Sequence, residues 1–293
     1  MQSFGGDHTK RKLEALERYL DAFTTALSKQ PLKLHYFDAF AGTGTVEISK
    51  SVVDAKRKAG QSSLIPEDDA NAVIQGSATR ALQTRHPFDR YNFVELDPRK
   101  IGALKDLLCG HERYDRCQFS QQDANAALLK WVGETEWSAN RGIVFLDPMG
   151  GQVHWDTVDA IARTEAIDLW YLFPAFLCVD RQISRKGIVH PTAVQSLNRI
   201  FGGEHWRDQL IQREERRDLF DNPIQVNKKL STPVKVTEIM ISQMKSIFKG
   251  GVSDRWLPLG RGGSHWYSLL FACSNPSPKA SKLALKLARE VLK

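Results

Sequence analysis

The chain alternates between amphipathic stretches of helical period and short, almost wholly apolar runs, a pattern that predicts an α/β protein. Between Asp7 and Gln30, Leu13, Leu16, Tyr19, Leu20, Phe23 and Leu27 recur at helical spacing, with Asp7 or Thr9 as the expected cap. Pro31 ends that helix. Five runs of strand type follow: HYFDAF, YNFVELDP, a short one from Cys117 to Ser120, GIVFLDPMG and AIDLWYLFP. The helices expected between them are SATRALQTR with Ser77 as cap, one begun by Pro98, AALLKWV after Asp123, and His154 to Arg163. A run as uniformly apolar as Ile143 to Leu146 is buried on both faces, which calls for a parallel sheet covered by helices on each side. Asp254 to Leu259 and His265 to Cys273 then read as an antiparallel hairpin around Gly-Arg-Gly-Gly-Ser, with a last helix from Ser277 to Lys293.

Two stretches break the alternation. Thr45 to Gln75 mixes charges with Gly60, serines and Pro66, and reads as a surface loop or lid above the strand ends. Ala175 to Phe248 is too long for a simple crossover and reads as helical, with one helix announced by Ser231-Thr232-Pro233. The expected organisation is a single domain, 1–293, carrying a helical insertion at 175–250 that caps the active-site edge.

Composition narrows the class without naming a function. With 293 residues, 42% hydrophobic and 26% charged, the chain can bury a sizeable core and has the balance of a soluble globular enzyme. It has no long uncharged apolar run, and MQSFGGDHTKRK lacks the apolar segment of a signal peptide, so the expectation is a cytoplasmic protein without a transmembrane helix. A net charge of +7 points mildly to a polyanionic partner. Cys109, Cys117, Cys178 and Cys273 lack C-x-x-C spacing and a histidine at ligand distance; reduced thiols and no metal site are expected.

The chemistry collects at the strand ends. His35 to Gly44 (HYFDAFAGTG) runs from a strand into a loop freed by Gly42 and Gly44, with Asp38 beside it, so the backbone of Ala39 and Phe40 can approach a ligand. The third glycine of a dinucleotide fingerprint is missing. A carboxylate suits the cationic sulfonium and amino-acid end of S-adenosylmethionine; another nucleotide or a plain turn are the alternatives. After the second strand, Glu95 or Asp97 is the acceptor for ribose hydroxyls, and Asp97 can instead cap the next helix. Asp123, followed by Ala124, is a helix cap, an acceptor for the adenine amine, or both. After the fourth strand, Asp147 and the carbonyl of Pro148 can orient an accepting amine, while Asp-Pro and Gly150-Gly151 would equally serve a strand-ending turn.

These motifs together resemble a known family. GGDHTKRKLEALERYLDAFTTAL, DAFAGTG, GSATRAL, FVELDP, LDPMG and WYLFP, in that order, look like the three-Cys-motif partner proteins. The resemblance implies a Rossmann-like class I methyltransferase fold binding S-adenosylmethionine, and a gene neighbour carrying a three-cysteine, radical-SAM-like motif as possible partner. Asp147-Pro148-Met149-Gly150 also looks like the D-P-P-Y element of amine methyltransferases acting on nucleobases, but without its aromatic ring. A stacking ring would then come from Trp155 or Tyr171, and Arg181, Arg185 and Lys186 are candidate phosphate contacts, or else a solvated helix face. The leading expectation is methyl transfer to an amine, in nucleic acid, with no metal. The alternative is an accessory protein that binds the donor and serves its neighbour, and a weaker one is a nucleotide-dependent oxidoreductase.

Overall fold

The structure, a computed structural model, describes residues 7–47, 73–217 and 219–293. The strands in chain order are β1 (Lys33–Asp38), β2 (Thr45–Glu47), β3 (Val73–Gln75), β4 (Arg90–Val94), β5 (Cys117–Ser120), β6 (Asn140–Leu146), β7 (Ile167–Phe173), β8 (Ile211–Arg217), β9 (Pro223–Lys229), β10 (Gly251–Val252), β11 (Leu257–Leu259) and β12 (Tyr267–Cys273). The α-helices are α1 (Asp7–Leu27), α2 (Ser77–Leu82), α3 (Pro98–Leu108), α4 (Ala124–Glu134), α5 (Trp155–Arg163), α6 (Pro191–Phe201), α7 (Trp206–Leu210), α8 (Pro233–Ile247) and α9 (Pro278–Val291).

The main sheet runs β5, β4, β1, β6, β7, β12, with β10 and β11 both paired to β12. All pairings from β5 to β7 are parallel, and β12 lies antiparallel to β7. From β1 the chain winds outward through β4 and β5, then returns to β6 on the other side of β1 and winds the opposite way. That reversal opens a crevice at the carboxyl ends of β1 and β6, where doubly wound sheets take their ligands. Order and strand directions together make this the Rossmann-like, methyltransferase-type sheet ending in an antiparallel hairpin.

The apolar runs become buried strands because side chains alternate between two packed layers. Phe37, Val144, Leu169 and Tyr171 meet Leu128, Ile161, Leu197 and Met240 of α4, α5, α6 and α8. Tyr36, Phe93, Phe145 and Trp170 face the other way, onto Leu16, Leu82, Leu104 and Ala288 of α1, α2, α3 and α9.

The segment after β7 corrects the helical expectation in part. It holds α6, α7 and α8, but between α7 and α8 it forms a two-stranded antiparallel ribbon of β8 and β9, paired from Ile211↔Lys229 to Arg217↔Pro223. IQREERR and PIQVNKK bury no face, so no period-2 apolar signal marks them as strands. The helix announced by Ser231-Thr232-Pro233 is α8, and Thr232 caps it, accepting the Lys235 N–H at 3.1 Å. β2 and β3 pair with each other at the two ends of the Thr45 to Gln75 stretch. The remainder of that stretch lies outside the described residues. No described helix is long and apolar enough to cross a membrane.

One buried carboxyl gives the fold a testable pH dependence. Asp168 of β7 accepts the Tyr19 hydroxyl at 2.7 Å, and burial pushes its pKa up to about 6. A carboxyl whose folded pKa lies above its unfolded value costs stability above the folded pKa, and the cost vanishes as pH falls below the unfolded one. The shift is worth about 3 kcal/mol. Asp168→Asn keeps an acceptor for Tyr19, so it is expected to be more stable than the parent near neutral pH and to lose that advantage by about pH 4. Urea unfolding at both pH values checks this; an advantage that does not change with pH contradicts it.

Candidate functional site

Three loops leave the carboxyl ends of β1, β4 and β6. The first passes through Gly42 and Gly44, both at positive φ (60° and 75°), which glycine adopts without a side-chain clash. A β-carbon at Gly42 would meet nothing within 4 Å, so the backbone there faces open space. At Gly44 one would sit 2.5 Å from Leu104 Cδ1, and the carbonyl of Gly44 accepts the Gly76 N–H at 2.8 Å. Gly42 therefore offers a cradle, and Gly44 a close approach to α3 and α2.

Asp38 lies beneath this loop rather than on it. Its fully buried carboxylate accepts Ser77 Oγ at 2.5 Å, the Phe40 N–H at 3.2 Å and the Tyr36 hydroxyl at 3.3 Å. Burial raises its pKa to about 6, opposed by the Ser77 bond and reinforced by the nearby Asp147. Ser77 is accordingly not the cap of α2: Gly76 takes the cap position, and Ser77 turns its hydroxyl to Asp38. Ala39 is buried as well, its N–H donating to the Phe145 carbonyl at 3.1 Å.

Glu95 and Asp97 divide the roles left open between them. Glu95 Oε2 accepts the Gly42 N–H at 3.2 Å and Oε1 the Asp97 N–H at 3.0 Å, leaving each oxygen a second lone pair. The same side chain thus fastens the glycine loop and lines the space above it. Asp97 caps α3, accepting the Arg99 N–H at 2.9 Å, and that bond holds its carboxyl below the usual range. Asp123 is exposed and caps α4 through the Ala126 N–H at 3.0 Å. Neither Asp123 nor buried Ala124 lines the space next to Glu95.

The third loop starts at Asp147. Its carboxylate Oδ2 accepts a hydrogen bond from Lys12 Nζ of α1 at 2.5 Å, and the lysine side chain is only 11% exposed. The loop is clamped from behind: Asn125 donates to the Gln152 carbonyl (2.9 Å) and accepts from the His154 N–H (3.0 Å) and Thr157 Oγ1 (2.9 Å). Gln152 Oε1 in turn accepts the Met149 N–H at 3.0 Å.

Between these loops and α1 lies a cavity of about 480 Å³. Phe40, Gly42, Glu95 and Asp97 form one wall; Asp147, Pro148 and Met149 form another; His8, Thr9 and Lys12 of α1 and Tyr267 of β12 close it. Its size falls in the range of small-molecule sites. Burial, then the Asp147 charge, push the Tyr267 hydroxyl up to about 12, so it stays a neutral donor. A second cleft between α1 and α9, near Tyr19, Asp168 and Leu287, measures about 90 Å³ and is too small for a nucleoside.

Other expected contacts lie elsewhere. Tyr171 is sealed in the core with its ring 5.6 Å from Phe173, so it has no face left for a base. Trp155 is half-buried against Gly202, where a β-carbon would lie 2.3 Å from the indole. The aromatic side chains that do line the cavity are Phe40 and Tyr267. Arg181, Arg185 and Lys186 are exposed in the segment after β7 and do not reach it. Among the described residues, no group of three or more histidine, cysteine or acidic side chains is placed to hold a metal ion.

Lys12, Thr9 and Tyr267 were not anticipated. The sequence did hold a signal for the first two: Thr9 and Lys12 extend the buried stripe of Leu16, Tyr19 and Leu20 toward the helix start, where polar residues need buried partners.

Comparison with known proteins adds little to this geometry. No family model matches the chain, and no curated protein matches it. Among solved structures, a protein of Legionella pneumophila aligns over 83% of this chain and 93% of its own at 16% identity, with a TM-score of 0.40. The CcbJ methyltransferase of Streptomyces caelestis aligns over 88% and 89% at 8% identity, with a TM-score of 0.36. Likeness at this level bears on no residue of the site.

Proposed function

We propose that the chain is an S-adenosylmethionine-dependent methyltransferase acting on an amine, with a nucleobase amine in nucleic acid as acceptor. The observation that carries this reading is a single cavity at the sheet reversal, with the Gly42 backbone and Glu95 on one wall and Asp147-Pro148 on the other. The residues present fit the donor: Gly42 leaves room that a β-carbon would fill, and Glu95 keeps lone pairs for hydroxyls. S-adenosylmethionine, when bound, supplies a methyl group on cationic sulfur. Asp147 and the Pro148 carbonyl accept the hydrogens of an amine and leave its lone pair free to attack; holding that geometry provides much of the catalysis. Asp38 acts from below as a positioning residue, tying Tyr36, Phe40 and Ser77 under the glycine loop.

The motif order resembling three-Cys-motif partner proteins supports the same donor. It also frames a second reading, an accessory donor-binding protein serving a three-cysteine neighbour. One observation favours that reading: a lysine already occupies Asp147.

Thermal unfolding with S-adenosylmethionine, S-adenosylhomocysteine, NAD or ATP tests the donor. At a hundredfold excess over Kd a ligand of the native state adds about 2.7 kcal/mol, which is a Tm increase of several degrees. The first two ligands are expected to produce it and the last two not; a shift with NAD or ATP alone contradicts the reading.

A further inference from the structure

The Lys12–Asp147 pair is an unusual thing to find in a cavity wall. Lysine side chains are rarely buried without a partner, and this one projects inward from α1 with 11% of its surface exposed. Its ammonium sits where an amine bound to Asp147 would sit, 2.5 Å from Oδ2. An amine that takes Oδ2 must displace Lys12, and one that takes Oδ1 lies beside its ammonium; either way the ammonium needs an acceptor on the incoming group. An alkyl amine cannot provide one, because at neutral pH it is itself a cation with donors only. An aminoazine can: its exocyclic amine donates to the carboxylate while the adjacent ring nitrogen accepts from the ammonium. Asparagine reads adenine with the same side-by-side acceptor and donor. Here Asp147 and Lys12 supply the two functions from different elements.

We propose that Lys12 is a specificity-determining residue of the acceptor site, and that the Lys12–Asp147 pair reads an exocyclic amine together with its neighbouring ring nitrogen, as on adenine or cytosine. This rests on the methyltransferase reading with a nucleobase amine as acceptor, and adds the residue that selects it. In the transfer, the acceptor nitrogen bonds to the methyl carbon as the carbon–sulfur bond breaks, sulfur keeps the electron pair, and the nitrogen's surplus proton leaves through Asp147 to water. Uracil and lysine side chains are excluded, the first for want of an amine and the second for want of the ring nitrogen. Thr9, one helical turn before Lys12, and Tyr267 line the same cavity.

The test pairs a binding ratio with a product analysis. Sinefungin carries an amine in place of the methylated sulfur of the donor, so its affinity relative to S-adenosylhomocysteine reports on the charges facing the transfer point. Calorimetry is expected to show that Lys12→Met raises this ratio about tenfold, since Asp147 becomes free and a like charge is removed, whereas Lys12→Arg leaves it near the parent value. Taking the ratio within each variant cancels any general loosening of the cavity that the substitution causes. An unchanged ratio in Lys12→Met overturns the placement of Lys12. Tritiated methyl transfer to total RNA, DNA and protein, followed by hydrolysis, identifies the acceptor. The expected product is a base methylated on an exocyclic amine beside a ring nitrogen, lost at least tenfold with Lys12→Met; label on an alkyl amine or an oxygen, or no label from a protein that binds the donor, overturns the proposal. Failure of the parent protein to bind S-adenosylhomocysteine at all instead removes the methyltransferase reading on which it rests.

Discussion

Asp147→Ala is expected to lower methyl transfer by roughly a hundredfold or more while affinity for S-adenosylhomocysteine, whose sulfur is uncharged, changes less than about threefold. The carboxylate follows a strand whose Gly142 to Leu146 are buried, beside a buried proline, and the loop behind it is clamped by Asn125. Its partner is Lys12 rather than any group on the Gly42 and Glu95 wall, so its removal leaves the donor side intact. A group needed only to reach the transition state lowers turnover without loosening substrate. The same substitution leaves Lys12 without its carboxylate, so Asp147→Asn, which retains an acceptor oxygen, separates that effect from the loss of the amine contact. Radiolabelled transfer alongside calorimetry decides it. Transfer that survives in both variants would mean that another residue orients the acceptor.

Glu95→Ala is expected to weaken donor binding by about 1.5–3 kcal/mol, the range for hydrogen bonds to a charged group. Two losses combine in this substitution. Lone pairs that face the cavity disappear, and the Gly42 N–H loses the acceptor that fixes the glycine loop. Asp97→Ala provides the contrast, because Asp97 caps α3 and its loss should cost about 1 kcal/mol of stability with little effect on the donor. Calorimetry and urea unfolding on both variants read the two effects separately. If Asp97→Ala weakens the donor more than Glu95→Ala does, the ribose role belongs to Asp97.

The strands were legible because a sheet covered on both faces leaves few polar positions: AIDLWYLF has only Asp168, and that carboxyl is buried against the Tyr19 hydroxyl. The candidate carboxylates were legible for the same reason, standing where those runs stop. Their roles were less so. A cap and a ligand contact both need a carboxylate at a strand-to-helix turn, so Asp97 and Asp123 looked like Glu95 until the backbone N–H groups were placed. Ser77 misled because a serine after glycine at a helix start has the pattern of a cap, whereas its hydroxyl answers the buried Asp38. The ribbon of β8 and β9 had no apolar face to betray it. Lys12 was hidden by the ordinary expectation that a lysine on a helix points to water.

A structure of the protein crystallised with S-adenosylhomocysteine tests the central claim most directly. The account predicts the ligand in the cavity between Gly42, Glu95 and Asp147, with ribose hydroxyls on Glu95 and the sulfur directed toward the Asp147 side chain. A ligand found elsewhere on the fold, or placed in this cavity with its sulfur turned away from Asp147, would contradict it.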